Sequence, residues 1–339
     1  MKTIFDKVNL VNLQLKNRLI RSATWEALAD ERGHFSEEIY GIYEQLAAGG
    51  VGCIISGFTS VADDDYYFGG MARLSNDSLI PEHKRLTDIA HAHGCPIIVQ
   101  LAMGEYNTAD TENVSINRLT EAHIADIENK FVTAAERAGK AGYDGVQIHA
   151  AHGFFLSRFI SPAYNQRSDR YGENPALILT EIIDEIKKRQ PELHITMKIN
   201  CNDFIMGGIE KDDFLAYCKQ CTDHGIDSIE VSGNGTSVSG IKPHINEAYF
   251  AEAAAELARI SPVPVILVGG HRSIENMNDV LNNTRIEFLS LSRPLIREPN
   301  LPKRWESGDT VPSRCVSCNG CYRFWVHLRL KCQGCKRPS

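Results

Sequence analysis

Residues 146–172 read VQIHAAHGFFLSRFISPAYNQRSDRYG. The stretch opens as a β-branched run and passes two histidines, His149 and His152, just before Gly153. A polar loop with Asn165, Arg167, Asp169 and Tyr171 follows. A lone histidine is more often a satisfied core residue than a working one. Two imidazoles at the exit of a buried strand suit an anion or carbonyl oxygen held for chemistry. Metal binding is the other use of such a pair, but no third ligand stands nearby, and H-x-x-H on a strand-to-loop turn is weak evidence for zinc.

Outward from this block, strand and helix alternate. Apolar, β-branched runs recur at Arg18–Thr24, Val51–Phe58, Pro96–Ala102, Gly145–Ala150, His194–Asn200, Ser228–Ser232, Val263–Val268 and Glu287–Ser292. They read as continuous runs, as parallel strands covered on both sides do. Between them the spacing predicts amphipathic helices at Glu37–Ala48, Glu82–His93, Glu121–Ala141, Ala176–Arg189, Asp212–His224 and Glu247–Ile260. Several of these end at glycine: Gly49, Gly94, Gly142 and Gly225. Eight such units are the closing number for an α/β (β/α)8 TIM barrel. An open doubly wound sheet is the competitor. It is disfavoured because no G-x-G-x-x-G follows the first strand. The expected division is a barrel over residues 1–300 and a short cysteine-rich C-terminal extension over 301–339.

The chain of 339 residues is 43% hydrophobic, enough to bury a large core. Its net charge of −7 argues against a nucleic-acid surface. No apolar run nears the roughly 20 residues that span a bilayer, and MKTIFDKVNL lacks the core of a signal peptide. A cytoplasmic protein without membrane or nucleic-acid partners is therefore expected. Of ten cysteines, Cys315, Cys318, Cys321, Cys332 and Cys335 crowd the C-terminus. In a reducing compartment that reads as metal ligation before disulfides.

Barrels carry reactive groups at the C-terminal ends of their strands. Here those ends offer Ser22, Ala23, Thr24, Trp25, Phe58, Gln100, the two histidines, Lys198, Gly269, Gly270, Ser292 and Arg293. Gly269 and Gly270 let backbone N–H groups approach an anion, and Arg293 can fork onto its oxygens, so the pattern suits a phosphate. Without Arg293 the paired glycines would read as a tight turn. Gln100 and Lys198 on inward positions need a polar partner. A bound heterocycle would serve, and so would a buried salt bridge from Lys198 to Asp203 or Glu230.

Six blocks in order resemble the Old Yellow Enzyme family of FMN oxidoreductases: LKNRLIRSAT, VGCIISGFTSV, IIVQLA, AERAGKAGYDGVQIHAAHGFFLSRFISPAYNQRSDRYG, VILVGGHRS and SLSRPLIREP. The resemblance implies FMN, with NAD(P)H as reductant. It places Ser22, Ala23, Thr24 and Phe58 against the flavin ring, Gln100 at its pyrimidine edge and Lys198 near N1 and O2. Gly269, Gly270, Ser292 and Arg293 would hold the phosphate. His149 and His152 would bind the substrate oxygen while hydride passes from flavin N5 to an activated double bond. Two positions depart from the pattern. Phe154 stands where the family's proton-donating tyrosine is usual, and Trp25 where a small threonine or cysteine sits. Solvent water or Tyr106, on the loop after the third strand, is the substitute donor expected.

The C-x-x-C-N-x-C run at Cys315, Cys318 and Cys321, completed by Cys332 or alternatively Cys335, resembles the iron–sulfur segment of the trimethylamine dehydrogenase and 2,4-dienoyl-CoA reductase branch. It implies a 4Fe–4S cluster and an electron-transfer partner; zinc is the alternative. Three functions follow as expectations. The first is an ene-reductase-like enzyme acting on a small molecule with an activated double bond. The second is an FMN demethylase or dehydrogenase coupled to the cysteine site. The third is a barrel without redox activity, serving as a metal-binding or interaction module. A homo-oligomer is compatible with each.

Overall fold

The computed structural model describes residues 1–234, 238–322 and 331–334. Eight parallel strands close on themselves: β1 (Leu19–Arg21), β2 (Cys53–Ser60), β3 (Ile97–Ala102), β4 (Gly145–Ala150), β5 (His194–Asn200), β6 (Ser228–Ser232), β7 (Val265–Val268) and β8 (Phe288–Leu291). Closure comes from β8 pairing with β1 (Leu289 beside Leu19) and β1 with β2 (Ile20 beside Cys53). The chain is thus the (β/α)8 barrel expected from its repeat. The principal outer helices are α1 (Glu37–Ala48), α2 (Ile80–Ala92), α3 (Glu121–Lys140), α4 (Leu177–Arg189), α5 (Lys211–Asp223), α6 (Ala251–Ile260) and α7 (Ile274–Asn283).

Strand parity sorts the side chains. Leu19, Ile54, Ile97, Val99, Val146, Ile148, Ile195, Met197, Ile229, Val231, Leu267 and Leu289 belong to the large core shared with the helices. Their neighbours of opposite parity point into the barrel. At the N-terminal end these are Ile20, Cys53, Ile55, Ile98, Ile266 and Phe288, sealed by Leu10, Leu13 and Leu15. The sealing residues come from an antiparallel hairpin, Val8–Leu10 with Leu13–Leu15, that the sequence reading did not mark. Further up, the inward positions turn polar, which is where the site begins.

Two local departures matter. The pairing of β2 with β3 shifts register between Ile55 and Phe58. Gly57 sits in this bulge, where an added Cβ would lie 2.4 Å from the Thr24 carbonyl oxygen. Helix α6 starts at Ala251 rather than Glu247. Glu247 is instead an acceptor for the backbone N–H of Arg272 and Ser273 and for the Ser273 hydroxyl (2.6 Å), which draws it off the helix. Beyond the strands, Leu301–Glu306 is helical and packs back on the barrel through buried Leu301 and Trp305.

Candidate active site

The barrel interior holds a closed hydrogen-bond network. Lys198 Nζ lies 3.1 Å from Glu230 Oε2 and donates to Ser22 Oγ at 2.8 Å. Ser22 and Ser290 donate to Glu230 Oε1 at 2.8 and 2.6 Å, and Gln147 donates to Oε2 at 2.8 Å. Gln100 then donates to Gln147 at 2.8 Å. Lys198 is 2% exposed and Glu230 0%, so the ion pair survives burial only because every neighbour adds a hydrogen bond. The salt bridge considered for Lys198 is therefore made, with Glu230, while Lys198 also lines the cavity above it. Gln147 escaped the sequence reading. Its signal was its parity: it shares the inward face of β4 with His149, as Glu230 does on β6 with Ser232.

Above the network, β4 delivers both histidines to one place. Their ring centroids are 5.1 Å apart at 78°. His152 adopts φ 67°, a left-handed backbone rare for a side-chain-bearing residue and itself a mark of constraint. Its N–H donates to Asn200 Oδ1 (3.1 Å) and its Nε2 pairs with Ser232 Oγ at 2.9 Å. Asn200 is fixed in turn by Ser157, Asp203 and Asn234. His149 Nδ1 is buried without a partner. Burial and the nearby His152 and Lys198 hold His149 well below its usual range; burial and Lys198 bring His152 down to about 3. Both rings are neutral at pH 7.

Two clefts meet here and share Ala23, His152, Lys198, Ser292 and Tyr322. The first, about 550 Å³, runs past Ser22, Gly269, Gly270 and Arg293. Gly269 and Gly270 have φ of 116° and 82°, and a Cβ on either would meet the ring of Tyr249 within 3 Å. Arg293 reaches across to the Val238 carbonyl (2.8 Å) and Asn319 Oδ1 (2.5 Å). The second, about 1030 Å³, is lined by Thr24, Trp25, Phe58, Tyr67, Phe68, Gln100, His149 and Phe154. Together they join a polar end to an apolar, ring-lined end. The glycine turn and Arg293 lie at one end, the amide and lysine in the middle, and an unpartnered imidazole beyond.

Tyr106 is not part of this constellation. Its hydroxyl donates to Asp126 on α3 at 2.9 Å and its ring packs beside His123, so it lines neither cleft. The phenols that do are Tyr67, Tyr249 and Tyr322, none of them singled out from the sequence.

Cys315, Cys318, Cys321 and Cys332 line one cavity of about 350 Å³ with Arg293, Arg297 and Arg314. Arg297 Nη1 and the Gly334 N–H approach Cys332 Sγ at 3.5 and 3.4 Å. Ser317 and Asn319 take φ of 55° and 56°, which curls the C-x-x-C-N-x-C backbone around the thiols. Burial and the adjacent Cys315 push the Cys321 thiol up to about 11. Among the described residues no three ligand side chains converge on a single point. Cys335 lies outside the described residues. Arg293 lines both this cavity and the glycine-turn cleft, and Tyr322 follows Cys321 directly, so the cysteines abut the barrel mouth.

A family model described as NADH:flavin oxidoreductase / NADH oxidase matches residues 3–310. The chain belongs to that family. It is 29% identical to an NADH oxidase of Thermoanaerobacter brockii, over 97% of this chain and 55% of that protein. It is 28% identical to an NADPH dehydrogenase of Listeria welshimeri, over 89% of this chain and 94% of that one. The chain spans about half the length of the longer curated relatives it matches. In fold, it superposes on a 2-naphthoyl-CoA reductase complexed with 2-naphthoyl-CoA with a TM-score of 0.89 at 21% identity, covering 98% of this chain and 57% of that one. No helix among the described residues is long and apolar enough to cross a membrane.

Proposed function

We propose that this chain is a cytoplasmic FMN-dependent oxidoreductase that takes hydride from NADH or NADPH and delivers it to an electron-poor carbon–carbon double bond. The observation that carries the reading is His149: a neutral, buried imidazole with an unpartnered nitrogen, facing a cleft whose far end is a glycine turn beside Arg293. FMN, when bound, supplies the two-electron relay between nicotinamide and alkene. Gly269, Gly270, Ser292 and Arg293 would hold its phosphate, and Gln100 and Lys198 the polar edge of its ring.

The protein's own part is binding and polarisation. His149 donates to the substrate carbonyl, drawing electron density from the double bond, and His152 is fixed beside it by Asn200 and Ser232. Neutral imidazoles do this without placing a second buried charge next to Lys198. Phe154 sits 5.1 Å from His149 and offers no proton, so solvent water entering the open cleft protonates the α-carbon. The test is the purified protein under anaerobic conditions. A yellow protein bleached by NADPH or NADH, then re-coloured by an activated enone, is expected. A colourless protein that takes no FMN would overturn the reading and leave a barrel without redox chemistry.

The cysteine cavity favours a second reading, an FMN dehydrogenase or demethylase passing single electrons to a partner through a 4Fe–4S cluster. The four cysteines line one cavity, and among the described residues no three ligand side chains meet at a point. That suits a cubane better than one zinc with sulfurs about 2.3 Å away.

A further inference from the structure

We propose that the ring half of the cleft is built for a neutral ligand carrying a flat aromatic ring beside its carbonyl. This rests on the oxidoreductase reading above and narrows its substrate class.

Five rings form a continuous wall leading away from the histidines. Phe154 lies 5.1 Å from His149, Phe58 5.0 Å from Phe154, and Phe68 5.1 Å from Phe58. Trp25 and Tyr67 extend it, 4.3 and 5.5 Å from Phe68. Phe58, Met71 and Ala102 form the buried core against which Trp25, Phe68 and Phe154 pack. Most pairs are tilted or edge-on, so ring faces and edges are both left for a guest to complete. At its outer end Tyr67 is 44% exposed, which gives a long ligand a way in.

Charge then selects. Among the described residues no carboxylate lines this cleft, and the one cation there, Lys198, is already matched by Glu230 at 3.1 Å. A carboxylate ligand would be buried without a spare counter-charge, at the cost such burial carries. An ammonium ligand would meet aromatic faces but no carboxylate to pair with among the described lining residues. A carbonyl needs only a donor, and the His149 imidazole lines this cleft.

The test compares three ligands that share a phenyl ring and differ in charge: benzylideneacetone, cinnamate and benzyltrimethylammonium. Their dissociation constants are read by calorimetry on the FMN-loaded protein. Benzylideneacetone is expected to bind at least about tenfold more tightly than either ion. Phe68→Ala removes the ring that touches four others. It should weaken benzylideneacetone by about tenfold and leave but-3-en-2-one, which lacks the ring, within about twofold. Phe68→Tyr should restore binding. Tightest binding of cinnamate or of the ammonium, or an equal loss for both enones in Phe68→Ala, overturns the proposal. A flavoprotein bleached by NADPH that prefers cinnamate loses this substrate class and keeps the oxidoreductase. A chain that takes no FMN loses the oxidoreductase, and the same calorimetry on that chain still reads the wall's preference.

Discussion

Phe154 stands where the resemblance read from the sequence implies a proton-donating tyrosine. It packs against Phe58, Tyr67, Phe68 and His149, so it belongs to the wall as much as to the chemistry. Adding a hydroxyl should preserve those contacts and supply the missing acid. Phe154→Tyr is expected to speed re-oxidation of the reduced protein by an activated enone by about tenfold or more, a modest share of what a placed general acid contributes. Single-turnover rates for the two proteins decide it, and equal rates would show that water already suffices. Glu26 offers a second residue-level expectation. Burial pushes its carboxyl up to about 7, against the opposing pull of Arg21 and the Tyr43 hydroxyl. A carboxyl raised on folding stabilises while protonated. That contribution is complete below the unfolded value near 4.5 and is lost as pH rises through about 7. The wild type should therefore lose stability relative to Glu26→Gln between about pH 4.5 and 7, by up to about 1.4 kcal/mol per pH unit, and hold level above that. Parallel urea midpoints for the two proteins across that range would refute the assignment.

At the scale of elements, the strands were legible because one face of each is continuously apolar, and each runs from a turn into a helix with its own period. What hid was short or externally determined. The hairpin at Val8–Leu15 has three-residue strands, yet Val8, Leu10, Leu13 and Leu15 alternate with polar neighbours around a Val11–Asn12 turn. The pattern was present and too brief to stand out beside eight longer runs. Its role is to stopper the barrel with Leu10, Leu13 and Leu15 over Phe288 and Ile266. Leu10 and Leu15 are both 0% exposed, so Leu15→Ala should cost about 2–4 kcal/mol of unfolding free energy without altering ligand binding at the opposite mouth. Chemical denaturation measures the first and calorimetry the second. The start of α6 was hidden for another reason. Glu247 is a good first-turn helix residue, but Arg272 and Ser273, distant in sequence, compete for its carboxylate.

Across the whole molecule, the site residues named from sequence gather at one mouth because strand ends of a closed barrel have nowhere else to point. Tyr106 fell outside because a loop residue follows its own contacts, here Asp126, and not the strand before it. Tyr67 and Tyr322 were invisible for the same reason. The tail is the larger lesson. Its cysteines are far from the histidines in sequence, but Arg293, Arg272 and Tyr322 tie the two regions together: Arg272 bonds the Cys315 carbonyl (3.2 Å) and Ser317 Oγ (2.6 Å) from the end of β7. The cationic fringe of Arg293, Arg297 and Arg314 would offset the negative charge of four thiolates, which as free thiols burial would keep protonated at Cys321. Metal analysis of anaerobically purified protein should then find about four irons per chain and little zinc. Cys321→Ser should lower iron sharply while far-ultraviolet dichroism holds, since the barrel's strands and helices lie outside the tail. One zinc per chain would make the tail a structural clasp, and the electron route from the barrel to a partner would end at the flavin.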